Sequence, residues 1–266
     1  SLSVFKGLMS NEAIFQMSVL VYAVVAMVLM MMPILFVEDN SGKHISKQEL
    51  SYDKKHAGIF DNMREVWNDK NFRVLVIVEL IYWFPQKIFV VAVPYIVAAL
   101  LQLDNVYTAI ILYSVGIASL VMYPLIDKLV DKYGKKKVMQ SALLCLLISF
   151  SFTATIGLYK IPTMAFVVVY VLVNTYPTAV LGILPMALAG DNAEHDFRKT
   201  GIAKNASYFG LKTFMMKIGV ALTSLIFPSL LLLGKTPANP FGVRMVAVAC
   251  VVSSLLAYVV MRKYED

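Results

Sequence analysis

The chain has 266 residues, of which 59% are hydrophobic and only 15% charged, and its mean hydropathy is +0.72. A soluble domain is about half apolar and about a quarter charged, so this balance excludes an ordinary water-soluble globular protein. The formal net charge of +7 does not indicate nucleic-acid binding, because the basic residues sit mainly in short loops between apolar runs.

Seven apolar runs are each long enough to cross a bilayer as a helix, which takes about 20 residues. They are predicted at residues 13–37, 72–101, 106–126, 138–158, 162–189, 207–234 and 241–261. The sequence therefore predicts an all-α, polytopic membrane protein.

The loops between these runs give an orientation, because Lys and Arg are retained on the cytoplasmic side of membrane proteins. Sixteen Lys and Arg residues follow the first, third, fifth and seventh spans, whereas the opposite side holds only Lys6, Lys160 and Lys235. The asymmetry predicts an external amino terminus and a cytoplasmic carboxy terminus, in what we expect to be a bacterial inner (plasma) membrane. An odd number of spans with an external amino terminus is unusual for a complete transporter. It is expected of a piece of a transporter that is cut just before the last span of its amino-terminal half.

The one long predicted loop, residues 38–71, mixes both charge signs and ends in a helix-like stretch. Its apolar side chains fall on one face, as in an amphipathic helix at the membrane surface or on the cytoplasmic underside of the protein. They are Ile59, Phe60, Met63, Val66 and Trp67. A linker between two helix bundles is favoured over a partner-binding helix, so we predict 1–37 as the last helix of an amino-terminal bundle, 38–71 as a cytoplasmic linker and 72–266 as a carboxy-terminal six-helix bundle.

In the second span, Glu79, Trp83 and Lys87 recur every four residues and project from neighbouring turns of one helix face. This stripe could line a solute path, with the two charges linked to other helices and the indole offering an aromatic plane. Interfacial exposure of Glu79 and a lipid-facing Trp83 are the alternatives.

The third span is followed by a stretch of alternating acidic and basic residues, 127–137. It resembles the signature of the major facilitator superfamily between the second and third helices of each half, although an aspartate stands where that pattern usually has glycine. The resemblance implies a gate whose ionic and cap contacts hold one conformation and break in the other; a solvated basic loop is the alternative. The implied gating residues are Asp127, Asp131, Gly134, Lys135 and Lys136.

Prolines interrupt three of the spans, and such broken helices favour a protein-lined or water-lined cavity over a passive anchor. They are Pro85, Pro94, Pro177, Pro185 and Pro228. In the fifth span, Asn174, Thr175 and Tyr176 precede one of these prolines, and either solute binding or a helix-to-helix hydrogen bond explains the polar cluster.

Lys217 lies about a dozen residues into the sixth span, which at about 1.5 Å per residue is too deep for its chain to reach the interface. An ammonium at that depth should face a wet interior and have a partner or a function, or else pair with a carboxylate to fix helix packing. It falls on a small and polar helix stripe. The stripe comprises Gly210, Thr213, Lys217, Ala221 and Ser224.

Neither a disulfide framework, a metal site nor an enzyme active site is predicted. Cys145 and Cys250 lie far apart in apolar runs, and the three histidines are scattered over loops without ligand spacing. The chain has no phosphate-binding glycine loop with its lysine and no assembled nucleophile, base and orienting acid. We therefore expect no catalysis and no cofactor.

Residues 185–201, 208–210 and 213–219 are similar to the glycoside, pentoside and hexuronide cation symporters, the family of the melibiose permease. The resemblance implies helices six to twelve of a twelve-helix transporter, with Lys217 near the sugar and cation sites. It also implies that Lys212 and Thr213 line the sugar pocket. The residues that bind the coupling Na+ or H+ would belong to the amino-terminal half, so this chain alone should not transport.

Two positions depart from the melibiose permease pattern. Gly182 stands where that branch has a sugar-facing tryptophan, which argues against a stacked disaccharide ring. Lys212 replaces an uncharged amide, and it could favour an anionic solute such as a uronide or extend to the cytoplasm.

We therefore expect cation-coupled symport of a sugar or related small solute by alternating access. The expected partners are the solute, the lipid bilayer and the amino-terminal helix bundle of the same transporter. A lysolipid carrier on the same fold is the first alternative, and a seven-helix receptor or membrane scaffold is the second.

Overall fold

The structure is a computed structural model that describes residues 11–36, 59–156 and 162–265. The chain forms two compact units, Ser1–Lys55 and His56–Asp266, and each is described by itself. In the first unit the described element is helix α1, Asn11–Phe36, which coincides with the first predicted span.

The second unit is a helical bundle. Its helices are α2 (Ile59–Asn68), α3 (Lys70–Tyr95), α4 (Val106–Tyr133), α5 (Lys135–Ala154), α6 (Thr163–Thr200), α7 (Asn205–Leu231) and α8 (Phe241–Met261). A π-helical segment, Ile96–Leu101, continues α3.

Within the described residues six helices are long and apolar enough to cross a membrane, namely α3 with its extension and α4 to α8. The apolar stretch described in α1, Val19–Met31, is shorter. The expectation of an all-α fold is confirmed, and the chain is an integral, multi-pass membrane protein.

Helices α3 and α6 bury the largest share of their apolar stretches, whereas α4 and α7 bury the smallest. Helix α3 packs against α7 and α8, α5 packs against α6 and α8, and α4 packs against α6. Leu75, Val78 and Ile88 of α3 are completely buried in this core. Helix α7 leaves a large surface uncovered by the other helices of this unit, and the candidate site lies on that surface.

The predicted boundaries of two spans were wrong at their polar ends. Helix α4 continues to Tyr133, so Asp127 and Asp131 are helical and not part of a loop. Helix α6 continues to Thr200, so the stretch from Asp191, expected to be a loop, is also helical. Hydropathy detects only the apolar part of a helix, and these helices end at Gly134 and Gly201, whose φ angles are +84° and +70°.

The amphipathic helix expected at the end of the long loop forms as α2. Its Val66 is buried, and Met63 and Trp67 pack against the same core. Asp69 then caps α3 by accepting hydrogen bonds from the backbone N–H groups of Asn71 and Phe72. The rest of the predicted linker, residues 38–58, and the side chains of residues 59–62 lie outside the described residues.

Candidate functional site

The small and polar stripe of α7 is exposed along its whole length. Helix α7 packs against α3 with its opposite side, which leaves this stripe uncovered by the second unit. The exposed residues are Gly210, Thr213, Lys217, Ala221 and Ser224. Phe214 and Leu225 border the stripe and are exposed as well.

Lys217 forms no ion pair within the described residues, and its side chain is exposed. It lies twelve residues after Asn205, the first residue of α7, which corresponds to about 18 Å of helix. Facing hydrocarbon there would cost an ammonium about 2.5–3.5 kcal/mol or more. The stripe therefore requires water or polar protein against it.

A second cluster joins α3 to α7 on a different side of α7 from this stripe. The Nζ of Lys212 lies 2.8 Å from Oε1 of Glu79, and the Nε1 of Trp83 donates to the same oxygen at 3.1 Å. Lys212 thus neither extends to the interface nor stands free. Of the predicted binding residues, the structure brings Lys212, Glu79 and Trp83 together around one carboxylate oxygen.

Lys87 extends the cluster by one helical turn, because its Nζ lies 5.8 Å from the centre of the Trp83 ring in a cation–π contact. The ring of Tyr82 stacks on that of Trp83, with the two ring centroids 5.9 Å apart. The indole is thereby fixed by an ion pair, a cation and a phenol ring. Trp83 itself is partly exposed.

The contact of α7 with α3 is made possible by Gly219. A Cβ at this position would lie 2.6 Å from the backbone oxygen of Leu80 and 3.1 Å from Cβ of Trp83. The backbones of α3 and α7 therefore approach each other more closely than a side chain at position 219 would allow. This contact fixes the alignment of the two helices along their lengths at the cluster.

Asn174 and Tyr176 both make polar contacts with α5, and Asn174 also bonds within its own helix, α6. Nδ2 of Asn174 donates to Oγ of Ser149 at 2.7 Å and to the carbonyl of Tyr170, and the hydroxyl of Tyr176 bonds with Ser141. Asn174 therefore forms the helix-to-helix hydrogen bond that was the alternative to solute binding. The structure does not bring these two residues into the α3–α7 cluster.

The predicted gating residues lie where α4 meets α5. Gly134 is the single residue between the two helices, and Nζ of Lys135 contacts both carboxylate oxygens of Asp191 on α6 at 2.8 and 2.6 Å. Asp127 and Asp131 are exposed and form no ion pair within the described part of the chain. The gate itself stays a prediction.

A further polar cluster at this charged end of the bundle was missed by sequence reasoning. The buried Nζ of Lys204 pairs with Glu65 of α2 at 2.6 Å and lies 3.2 Å from Asp196 of α6, while the hydroxyl of Tyr208 bonds with Asp69. These carboxylates line a cavity of about 430 Å³. Asp69 could have been recognised from the sequence as a helix cap. Lys204 could not, because nothing in the order of residues shows that it is buried.

Burial of the Lys204 ammonium by itself lowers its pKa, but the hydrogen bonds and charges of Glu65 and Asp196 outweigh this effect. The pKa of Lys204 is therefore raised above its ordinary value. Lys204 stays charged and ties α2 to the carboxy end of α6.

Comparison with known proteins gives one positive finding. A family model described as MFS/sugar transport protein matches residues 2–261. No curated protein and no solved structure matches the chain.

Proposed function

Because the chain belongs to the MFS/sugar transport protein family, we propose that it takes part, together with an amino-terminal helix bundle, in cation-coupled symport of a sugar or related small solute by alternating access. The family and the six apolar helices make it a membrane transporter, so the receptor or scaffold alternative does not fit. The likeness to the melibiose permease, the bacterial inner membrane and the cytoplasmic carboxy terminus belong to this proposal.

One observation supports the solute path most directly, and it is the exposed stripe of α7 around Lys217. A charged lysine in the middle of an apolar span needs a polar environment, and small neighbours such as Gly210 and Ala221 leave room for one. A solute path that opens alternately to either side of the membrane would supply that environment. We infer that the stripe is one wall of this path.

The coupling ion is proposed to be Na+ or H+, bound mainly by the amino-terminal helices of the same transporter. This part of the proposal rests on the family resemblance of the stretch from Asp191 to Gly219. The predicted gate, with the Lys135–Asp191 ion pair, would open and close at the charged end of the bundle.

A lysolipid or other amphiphile carrier is the second candidate, and a specific groove favours it. The groove has a volume of about 410 Å³ and lies between α3, α7 and α8, with an apolar lining that includes Leu80, Leu222 and Leu256. An acyl chain would fit such a lining, whereas a sugar would find almost no polar partner there.

The test is uptake by the full-length protein in proteoliposomes, with imposed Na+ or H+ gradients, of sugars, uronides and lysolipids. Lys217→Ala is expected to abolish accumulation against a concentration gradient without changing membrane insertion. Lys235→Ala, which removes an exposed loop lysine, is the matched control and should accumulate solute normally. Normal accumulation by Lys217→Ala would contradict the assignment of this stripe to the solute path.

A further inference from the structure

Helices α5 and α8 run side by side along most of their length. At the charged end of the bundle, Nε2 of Gln140 donates to the carbonyl of Met261 at 3.4 Å. Toward the opposite end, Nη2 of Arg244 donates to the carbonyl of Ile156 at 2.9 Å. Positions 140 and 156 are about 24 Å apart at the helical rise of about 1.5 Å per residue. The two bonds therefore hold the helices in an antiparallel register, with the start of α5 beside the end of α8.

Both helices carry an exposed apolar stripe that ends in a basic residue. On α5, Leu144 and Ile148 are exposed, and they fall at helical spacing after the exposed Lys137. On α8 the stripe starts at Arg244, which contacts α5, and ends at the exposed Arg262. Its exposed apolar members are Val248, Leu255 and Val259. These two stripes together are called the α5–α8 face.

Basic residues gather at the charged end of the α5–α8 face. They are Lys136, Lys137, Arg262 and Lys263. None of the four forms an ion pair within the described residues. The nearby Glu265 pairs with Lys70, whose hydrogen bond and charge lower the pKa of the Glu265 carboxyl, and the charge of Lys136 lowers it further. This end of the face therefore carries positive charge that no described ion pair neutralises.

We propose that the α5–α8 face binds an anionic phospholipid of the membrane, with its phosphate against the four basic residues and an acyl chain along the apolar stripes. Lys and Arg bind phosphate through charge-assisted hydrogen bonds, and basic pockets between membrane-spanning helices bind anionic headgroups. The lipid is a bound membrane component and not the transported solute. The inference therefore goes beyond the proposed function, and neither depends on the other.

Charge decides between a lipid and a second copy of this chain as the occupant of the face. A two-fold dimer through this face would set its basic end against the same basic end of the other copy. An anionic headgroup neutralises these charges instead. A water-soluble phosphate compound would neutralise them as well, but it has no apolar part to lie on the stripes.

The first measurement counts the lipids that the purified full-length protein retains in detergent, by native mass spectrometry, from an equimolar mixture of phosphatidylglycerol and phosphatidylcholine. The wild-type protein should retain phosphatidylglycerol in preference to the zwitterionic lipid. Lys137→Gln with Arg262→Gln should weaken phosphatidylglycerol binding about 25-fold, because each basic residue near an anionic headgroup contributes about a factor of five. Equal retention of the two lipids by the wild-type protein would overturn the inference, and so would a dimer without retained lipid.

The matched control removes two exposed lysines from the same end of the bundle and outside this face. They are Lys128 of α4 and Lys199 of α6. Lys128→Gln with Lys199→Gln has the same net charge as the test variant and should retain phosphatidylglycerol like the wild-type protein. An equal loss in the two double variants would show that net charge, and not this face, attracts the lipid, which would contradict the inference.

The second measurement is the melting temperature, which also shows whether the variants fold. In phosphatidylcholine alone both double variants should melt with the wild-type protein, because the replaced side chains are exposed. Phosphatidylglycerol should raise the melting temperature of the wild-type protein and the control variant, but not that of the test variant. Glycerol 3-phosphate, the soluble probe, should have no effect. A stabilisation by phosphatidylglycerol that survives in the test variant, or the same stabilisation by glycerol 3-phosphate, would overturn the inference.

Discussion

Lys212 and Lys217 lie five residues apart on α7, and their side chains have different surroundings. Five residues turn the helix by about 140° beyond one full turn, so the two side chains point to different sides. Lys212 is buried against Glu79, whereas Lys217 lies on the exposed stripe. The sequence left open whether Lys212 reached the interface or lined a sugar pocket, and the structure gives a third result, the buried pair.

Gly219 provides a test of the α3–α7 contact at the scale of a single residue. Gly219→Ala should lower the free energy of unfolding by about 1–3 kcal/mol, because the added Cβ would overlap backbone atoms of α3 and force the helices apart. Thermal unfolding in detergent measures the loss. Transport should decrease in parallel, because the cluster of Glu79 and Trp83 lies at the same contact.

Gly116 of α4 is the matched control for this substitution. A Cβ at Gly116 would meet no atom within 4 Å, and alanine is the better helix former by about 1 kcal/mol. Gly116→Ala should therefore keep or slightly raise the stability of the protein. Equal stability changes in the two variants would show that Gly219 is not a close contact.

At the scale of elements, the ends of the helices were harder to predict than their centres. The apolar parts of α3 to α8 follow from the length of their hydrophobic runs alone. The polar extensions of α4 and α6 do not, because a charged residue at the end of a span is as compatible with a loop as with another helical turn. The extra turns of α6 bring Asp191 and Asp196 to the lysines of the charged end.

The attachment of α2 to the bundle predicts a dependence on pH. The raised pKa of Lys204 means that its contribution to stability is complete below its unfolded-state pKa, about 10.5, and is lost as the pH rises through the folded-state value. The protection of α2 against hydrogen exchange should therefore be complete at neutral pH and be lost only as the pH rises through the folded-state pKa of Lys204, which lies above 10.5. Lys204→Met should show fast exchange of α2 at neutral pH as well.

Lys199, an exposed lysine near the end of α6, supplies the control. Lys199→Met should leave the exchange of α2 and its pH dependence as in the wild-type protein. Slow exchange of α2 in Lys204→Met would show that Lys204 does not hold this helix.

At the scale of the whole molecule, sequence patterns predicted the fold class and the stripe of residues that shares one face of α7, but not which residues the buried charges pair with. The stripe around Lys217 follows from helical periodicity, because the five residues that share a face by spacing also share exposure. The Glu79–Lys212 pair and the Lys204 cluster could not be predicted. Each joins residues more than a hundred positions apart, and only the packing of helices brings them together.

The central claim is that the exposed stripe of α7 borders a water-filled solute path. It is tested by cysteine labelling of the full-length protein, with both free cysteines, Cys145 and Cys250, changed to alanine. Thr213→Cys and Ala221→Cys probe the stripe. Leu255→Cys, at an exposed apolar position of α8, is the control for a surface that faces lipid.

The measurement is the rate of reaction of each cysteine with a charged, membrane-impermeant thiol reagent. Thiols react as thiolates, which form in water and not in hydrocarbon, so the two stripe cysteines should react about tenfold or more faster than the control. A transported solute should slow the stripe reactions and leave the control unchanged. Stripe cysteines as unreactive as Leu255→Cys would contradict the claim, because Lys217 would then have no water-filled path beside it.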